Sequence, residues 1–232
     1  KVCAKYNFKP ALNDIIKYYG VNEKKIEVVY LGIQPALLKK EEPINLKERF
    51  NIIGEYILSV CTIEPRKNLK GLVDAFLNYK ERHPKSEIQL VLTGHIGWGT
   101  EIINYIQNCK NYSKDIILTG YVSDAELATL MKKSLAVAYV SFYEGFGLPI
   151  LEGMAAGKAV ISSNTSSMPE VGGDAVAYCN PHDMESMVHT MELVVENEGY
   201  RKSLEKKALA RASLFSYEKT AEQVIRVLQG VM

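Results

Sequence analysis

Nothing in the sequence approaches the ~20 consecutive apolar residues of a membrane span. The longest apolar candidates, such as residues 135–141, are the size of a strand. Runs of five like charges are absent too, and 28 basic residues stand against 27 acidic ones, a net charge of +1. Binding nucleic acid needs a basic stripe that displaces counterions, so no nucleic-acid partner is expected. Cysteine is scarce: Cys3, Cys61, Cys109 and Cys179 lie far apart, without a Cys-x-x-Cys or a neighbouring histidine pair at zinc spacing. That removes a disulfide framework and a zinc site. The four read as small buried residues, Cys61 inside an apolar run, in a reducing cytoplasm. Internal repeats, low-complexity tracts and a signal peptide are also missing, and the chain opens on Lys1 rather than Met, which reads as a piece of something longer. What remains is 232 residues, 47% apolar and 24% charged, enough for one large domain or a domain with an appendage.

From residue 56 the pattern alternates strand and helix. The apolar run 56–61 reads as a strand, and Asn68 is placed to cap a helix whose Leu69, Leu72, Val73, Phe76 and Leu77 share one face. Strand 88–92 ends at Thr93-Gly94, a helix runs through Ile102, Ile103 and Ile106, and strand 116–118 closes at Gly120. Ser123 with Glu126 forms a capping box before the stripe Leu127, Leu130 and Met131. Strand 135–140 leads into a Gly-containing turn, and Pro149 suits the first position of a helix that stops at Gly157. Strand 159–161, a loop over 162–170, strand 175–178, a helix capped by Asp183 and helices near 200–213 and 217–228 complete the chain. Near-continuous apolar strands separated by amphipathic helices predict an α/β fold with a doubly wound parallel sheet, Rossmann-like, whose ligands sit beyond the carboxyl ends of the strands. Residues 1–50 differ: helix over 13–19, strand over 26–30, a charged loop over 39–49, together a connector rather than a domain. This divides the chain into 1–50, a ligand-binding domain over 51–214 and a C-terminal helix within 215–232.

The chemistry concentrates in strand-to-helix loops. In Phe142-Tyr143-Glu144-Gly145-Phe146-Gly147-Leu148-Pro149, two glycines let the backbone approach a ligand and adopt positive φ. They feed a helix N-terminus, where unpaired amides and the macrodipole favour an anion such as a diphosphate. A tight turn would look the same. Glu144 before the turn and Glu152 in the helix can face the same sheet edge; carboxylates there fit hydroxyls, as a carboxylate holds a ribose diol in dinucleotide folds. A favourable acid in a first helical turn explains Glu152 equally well, but not Glu144. Glu64-Pro65-Arg66-Lys67-Asn68 offers two cations to that edge, Arg66 as a fork and Lys67 as a point charge, or else is a solvated basic turn. His83, His95, His182 and His189 show no triad or metal spacing. Trp98 is a loop anchor or a neighbour of the site, Ser162 to Ser167 form a hydroxyl-rich stretch that lines the pocket or is simply a loop, and Tyr18 and Tyr19 read as packing residues.

Glu144-x7-Glu152 resembles the Glu-x7-Glu signature of retaining glycosyltransferases of family 4, which have the GT-B fold. Ile63-Glu64-Pro65-Arg66-Lys67-Asn68 resembles the phosphate-binding loop of a branch rich in mannosyltransferases. Thr119-Gly120-Tyr121-Val122-Ser123-Asp124 and Ser167-Met168-Pro169-Glu170-Val171-Gly172-Gly173 also match, so the resemblance runs from about Asn13 to the C-terminus. It implies the C-terminal, donor-binding half of a two-domain enzyme. Arg66 and Lys67 would bind the donor diphosphate, as would the backbone of Gly145, Phe146, Gly147 and Leu148. Glu144 would meet hydroxyls of the donor sugar and Glu152 those of the ribose. Tyr121 and Val122 would border the base, Val122 through its backbone. Many members carry an arginine near the position of Thr62, so which cation meets which phosphate stays open.

The reaction so implied moves a hexose, mannose favoured, from a nucleotide-diphosphate sugar (GDP-mannose favoured) to a hydroxyl of a glycan or glycolipid with retention of configuration. The sequence has no Asp-x-Asp, the metal-diphosphate device of the other major glycosyltransferase fold, so no metal or cofactor is expected. The resemblance puts the acceptor site and the family's N-domain histidine outside this sequence, makes residues 1–50 the end of that domain plus linker, and sends the last helix back across to it. An isolated chain would then bind donor and transfer little sugar. The expected place is the cytoplasm, with peripheral association of the full-length enzyme at the inner face of a membrane. Two other readings stand beside it: a sugar-nucleotide epimerase of the same fold, and a non-catalytic module of this fold that binds a protein.

Overall fold

The computed structural model describes residues 9–33, 43–95, 97, 101–109 and 111–230. Cys3, Trp98 and most of the charged stretch before residue 43 lie outside them. Six strands form one sheet: β1 Tyr56–Val60, β2 Gln89–Thr93, β3 Ile116–Gly120, β4 Ala136–Tyr139, β5 Ala159–Ser163 and β6 Ala177–Cys179. All neighbours are parallel, in the order β3-β2-β1-β4-β5-β6. This is the doubly wound order expected, and its direction reverses between β1 and β4, where Ile57 pairs with Ala136. A crevice opens there beyond the strand ends, because the loops after β1 and β4 lead to helices on opposite faces.

The apolar strands are buried on both sides. On one face α3 (Leu69–Arg82) and α8 (Met184–Glu196) bring Leu72, Val73, Phe76, Val188 and Met191 against Ile57, Leu90 and Ala138. On the other, α6 (Leu148–Ala155) sets Ile150, Leu151 and Met154 against Val137 and Val160, while α5 (Asp124–Lys133) sets Leu130 and Met131 against Leu58 and Val91. Each such side chain contributes roughly 1.5–3 kcal/mol by leaving water, so the core, rather than helix propensity, holds the loops at the crevice. Gly153 permits a close approach: a Cβ there would lie 3.1 Å from Val137 and Val160 side chains, tighter than an ordinary contact. That close packing seats α6 directly over β4 and β5.

The capping box of Ser123 and Glu126 forms as expected, and Asp183 caps α8 by accepting from the Glu185 and Ser186 amides. Other expectations fail for local reasons. Residues 26–30 make no strand; Ile33 alone bridges to Ser216, and Tyr30 is held by Gln223 and Thr220 of α10 (Tyr217–Gln229). Residues 46–50 are not loop but the short helix α2 (Leu46–Phe50), capped by Asn45. Tyr18 and Tyr19, at the end of α1 (Lys9–Tyr19), do not pack; they are 68% and 80% exposed. Residues 162–170 are not one loop, since β5 runs on to Ser163 and α7 (Met168–Gly172) begins soon after. No helix among the described residues is long and apolar enough to cross a membrane.

Candidate functional site

At the crevice lies a cavity of about 730 Å³, lined among others by Cys61, Arg66, Lys67, Tyr139, Tyr143, Glu144, Glu152 and Gly145 through Pro149. Two loops build it. The loop after β1 makes one 3-10 turn, Pro65–Lys67, and passes through Asn68 in the left-handed region (φ 53). Asn68 therefore does not cap α3 with its side chain, as expected from sequence. Its buried amide instead donates to the Val140 and Pro181 carbonyls at 3.2 and 3.1 Å, tying the β1 loop to the ends of β4 and β6. Asparagine tolerates that backbone better than most residues.

The cations then converge on one carboxylate. Arg66 Nη1 lies 2.7 Å from Glu144 Oε2 and Lys67 Nζ 2.8 Å from Glu144 Oε1. Arg66 also donates to the Tyr143 carbonyl at 2.8 Å and to Glu64 at 2.6 Å. Burial opposes the charge on Arg66, but Glu144 and Glu64 more than offset it and raise its pKa. Burial likewise works to raise the Glu144 carboxyl; the hydrogen bonds from Lys67 and Arg66 win and hold it below the ordinary carboxylate range. Alone, the Glu144 charge would repel a diphosphate; here it is compensated twice.

The glycine loop is held open by hydroxyls. Ser166 accepts from the Glu144 amide at 3.0 Å and donates back to the Glu144 carbonyl. Ser167 donates to the carbonyls of Glu144 and Phe146 at 2.8 and 3.0 Å, and Thr165 to that of Phe142 at 3.0 Å. The carbonyls thus turn away from the cavity. Among the described residues no group accepts from the amides of Gly145, Gly147 or Leu148, which leaves donors at the opening of α6. Only Gly147 of the two glycines has positive φ (99); Gly145 faces open space. Pro149 is the second residue of α6, one later than expected. The hydroxyl-rich stretch thus neither lines the cavity nor forms a free loop; it clamps the loop that does.

Glu152, on α6, borders the same cavity, and no described residue hydrogen-bonds its carboxyl. Burial, with a smaller push from Asp124, raises it to about 7. A carboxyl only about half ionised near neutrality opposes a diphosphate next to it less than a full carboxylate would. Tyr121 and Val122 follow β3 and lie outside the cavity lining. The Tyr121 ring is exposed and packs against His95 with centroids 4.5 Å apart, while the Val122 side chain is buried near Leu130, so only its backbone could meet a ligand. The other histidines do structural work where contacts are seen: His83 stacks on Tyr79 and His182 on Phe142. Cys61 is half-buried, packs against the core and also borders the cavity, and burial pushes its thiol up to about 11. Cys109 is half-buried and Cys179 fully buried.

One contributor escaped the sequence reading. Tyr139, 3% exposed, accepts from Lys67 Nζ at 2.6 Å, and the ammonium stands 5.0 Å from the centre of its ring. In sequence Tyr139 is one more apolar residue of a strand. Its position as the last residue of β4, beside the glycine loop, was the available signal.

With this geometry in view, the comparisons with known proteins agree among themselves. Residues 41–211 match the family model described as "Glycosyl transferases group 1". The O-antigen chain mannosyltransferase B of Escherichia coli is 35% identical over 220 residues, covering 92% of this chain and 56% of that protein. A serotype-specific mannosyltransferase, WbdA, of Escherichia coli is 32% identical over 232 residues, 95% of this chain and 28% of that protein. Among solved structures, a glycosyltransferase from Rickettsia africae superposes with a TM-score of 0.85 at 20% identity, over 100% of this chain and 63% of that one. Anabaena HepE, solved with UDP and glucose, gives 0.83 at 20% identity, over 99% and 63%. The chain thus spans little more than half of O-antigen chain mannosyltransferase B and a smaller share of WbdA. With nearly three quarters of its length inside the family model and its sheet matched by glycosyltransferases of the GT-B fold, the chain belongs to the glycosyl transferases group 1 family.

Proposed function

We propose that this chain binds the diphosphate of a nucleotide sugar and, within a retaining glycosyltransferase, delivers a hexose, mannose in the favoured case, to a hydroxyl of a glycan or glycolipid. The observation that carries the reading is the convergence of Arg66 and Lys67 on Glu144 at a cavity floored by the unpaired amides of Gly145, Gly147 and Leu148. Breaking the bond from sugar to phosphate develops negative charge on the leaving diphosphate. Fixed amides, a helix N-terminus and two cations stabilise that charge without reorganising, and losing one such donor typically costs on the order of 3 kcal/mol. Glu144 keeps the cations in place and offers its carboxylate to hydroxyls of the sugar. Glu152 receives the ribose hydroxyls, and Tyr121 and the Val122 backbone border the base. In a displacement on one face of the sugar, the departing phosphate takes the acceptor proton. No residue of this chain is assigned to the acceptor.

Mannose is favoured by the names of the relatives and by the Glu64 to Asn68 loop. Another donor is represented by the HepE structure with UDP-glucose, at 20% identity. Calorimetric titration of the chain with GDP-mannose and with UDP-glucose tests the reading. Binding of GDP-mannose in preference to UDP-glucose is expected. A chain that binds neither is a module without a donor site, and the assignment fails.

A further inference from the structure

Tyr139 sits where the two halves of the charged cluster meet. Its phenol oxygen accepts from Lys67 Nζ at 2.6 Å, and its proton is given to the Glu144 carboxylate. The Lys67 ammonium stands at the hydroxyl end of the ring, 5.0 Å from its centre, and is itself only 12% exposed. The residue borders the cavity yet is almost wholly buried, with its backbone fixed in β4 between β1 and β5. Its own carbonyl accepts from Ser162 at 3.0 Å, which locks the strand end beneath the cluster.

This closed triangle has a consequence for ligand binding. Glu144 occupies both cations in the empty cavity. An arriving diphosphate must draw Lys67 and Arg66 at least partly towards itself, which strips hydrogen bonds from a buried carboxylate. Leaving a buried charge short of partners is costly. The Tyr139 hydroxyl is a neutral donor that stays with Glu144 while the cations turn. It also receives one ammonium proton of Lys67, leaving the others for phosphate.

We propose that Tyr139 is a positioning residue for the donor diphosphate: its hydroxyl holds Lys67 and Glu144 in place so that the cations can engage phosphate without orphaning the carboxylate. The inference rests on the donor-binding reading above and deepens it. Glu144 is faced by Arg66 and Lys67 from the β1 loop and by Tyr139 from β4, with Ser166 and Ser167 on its backbone.

The test is Tyr139→Phe, which keeps the ring and its packing and removes only the hydroxyl. GDP and GDP-mannose are titrated calorimetrically into the wild type, Tyr139→Phe, Lys67→Met and the double variant, with unliganded melting temperatures as the control for folding. Wild-type binding comes first, because its absence would refute the donor reading and this inference with it. Given that binding, Tyr139→Phe is expected to weaken GDP about tenfold, the typical effect of one charge-assisted hydrogen bond. In the Lys67→Met background the same change should cost much less, since the ammonium it positions is gone. The acid limb of the GDP-mannose profile should also move to higher pH, because Glu144 has lost a donor to its charged form. A packing role would lower affinity equally at every pH and equally in both backgrounds. That result, or an unchanged affinity in Tyr139→Phe, overturns the proposal while leaving the donor site standing. Should Tyr139→Phe fail to fold, Tyr139→Leu and Tyr139→His supply a side chain without and with a polar atom; equal losses in the two would overturn it as well.

Discussion

If Glu152 receives the ribose hydroxyls, donor binding must depend on pH in a definite direction. The empty-site carboxyl is raised to about 7, first by burial and then by Asp124. Two hydroxyls can both donate only to the ionised form, so binding pulls the carboxyl back towards its ordinary range and releases a proton. With a free-state value near 7, about nine-tenths of the carboxyls are ionised at pH 8 and about one-tenth at pH 6. Nucleotide affinity is therefore expected to fall about tenfold between pH 8 and pH 6. Calorimetry in two buffers of different ionisation enthalpy counts the released protons: close to one at pH 6, few at pH 8. Glu152→Gln keeps the shape and removes the titration, so its affinity should be several-fold weaker at pH 8 and flat across this range. Stability runs the other way. The folded value lies above the ordinary 4.5, so the folded state holds the proton more tightly than the unfolded chain. Stability from this group is complete below about pH 4.5 and is lost as pH rises through 7. At about 1.4 kcal/mol per pH unit the rise from 4.5 to about 7 makes ionised Glu152 cost about 3.5 kcal/mol, and water in the cavity reduces that to about 2 kcal/mol. Glu152→Gln should thus melt higher than the wild type at pH 8 while binding donor less well. An affinity that is level from pH 6 to pH 8, or that rises on acidification, refutes the reasoning.

Three further outcomes are expected. Lys67→Ala should weaken GDP binding ten- to a hundredfold, about 1.5–3 kcal/mol for a hydrogen-bonded charge, and Arg66→Ala less, because Arg66 is 43% exposed and Lys67 only 12%; equal losses measured by calorimetry would contradict the ranking. Ser167→Ala leaves the buried carbonyls of Glu144 and Phe146 without its donor, and should destabilise the chain by about 2 kcal/mol, read as a lower denaturation midpoint, with a looser glycine loop and weaker GDP binding. Titrating GDP-mannose in EDTA should return the affinity found without it, since Arg66, Lys67 and amides supply the counter-charge; a marked loss would place a divalent cation in the donor site.

The fold was legible because its signal is one-dimensional. All six strands announce themselves as short apolar runs ended by turn or polar residues, and parallel order follows once amphipathic helices separate them. The failures are places where a contact distant in sequence decides. Residues 26–30 have the composition of a strand, but the sheet edge is not offered to them; Tyr30 finds Gln223 and Thr220 instead. Asn68 has the residue type and position of a helix cap, yet Val140 and Pro181, far along the chain, claim its amide. Such partners are invisible to a window of neighbouring residues.

The site divides along the same line. Arg66, Lys67, Glu144, Glu152 and the glycine loop could be picked out because charge and glycine are conspicuous between apolar elements. What they do to one another could not. Sequence reasoning set two cations and two carboxylates on one edge and treated each acid as an acceptor of ligand hydroxyls. The structure separates the acids: Glu144 is ionised by its partners, and Glu152 is left with none and drifts towards neutrality. That difference follows from position in the fold, since Glu144 lies within reach of the β1 loop and Glu152, two turns of chain later, faces the cavity from the helix. A diphosphate entering this cleft meets two cations, one compensated carboxylate and one carboxyl that has yet to surrender its proton. Because the ionised form of Glu152 is the one that receives ribose hydroxyls, the pH profile is the most direct measure of how the two glutamates divide their work.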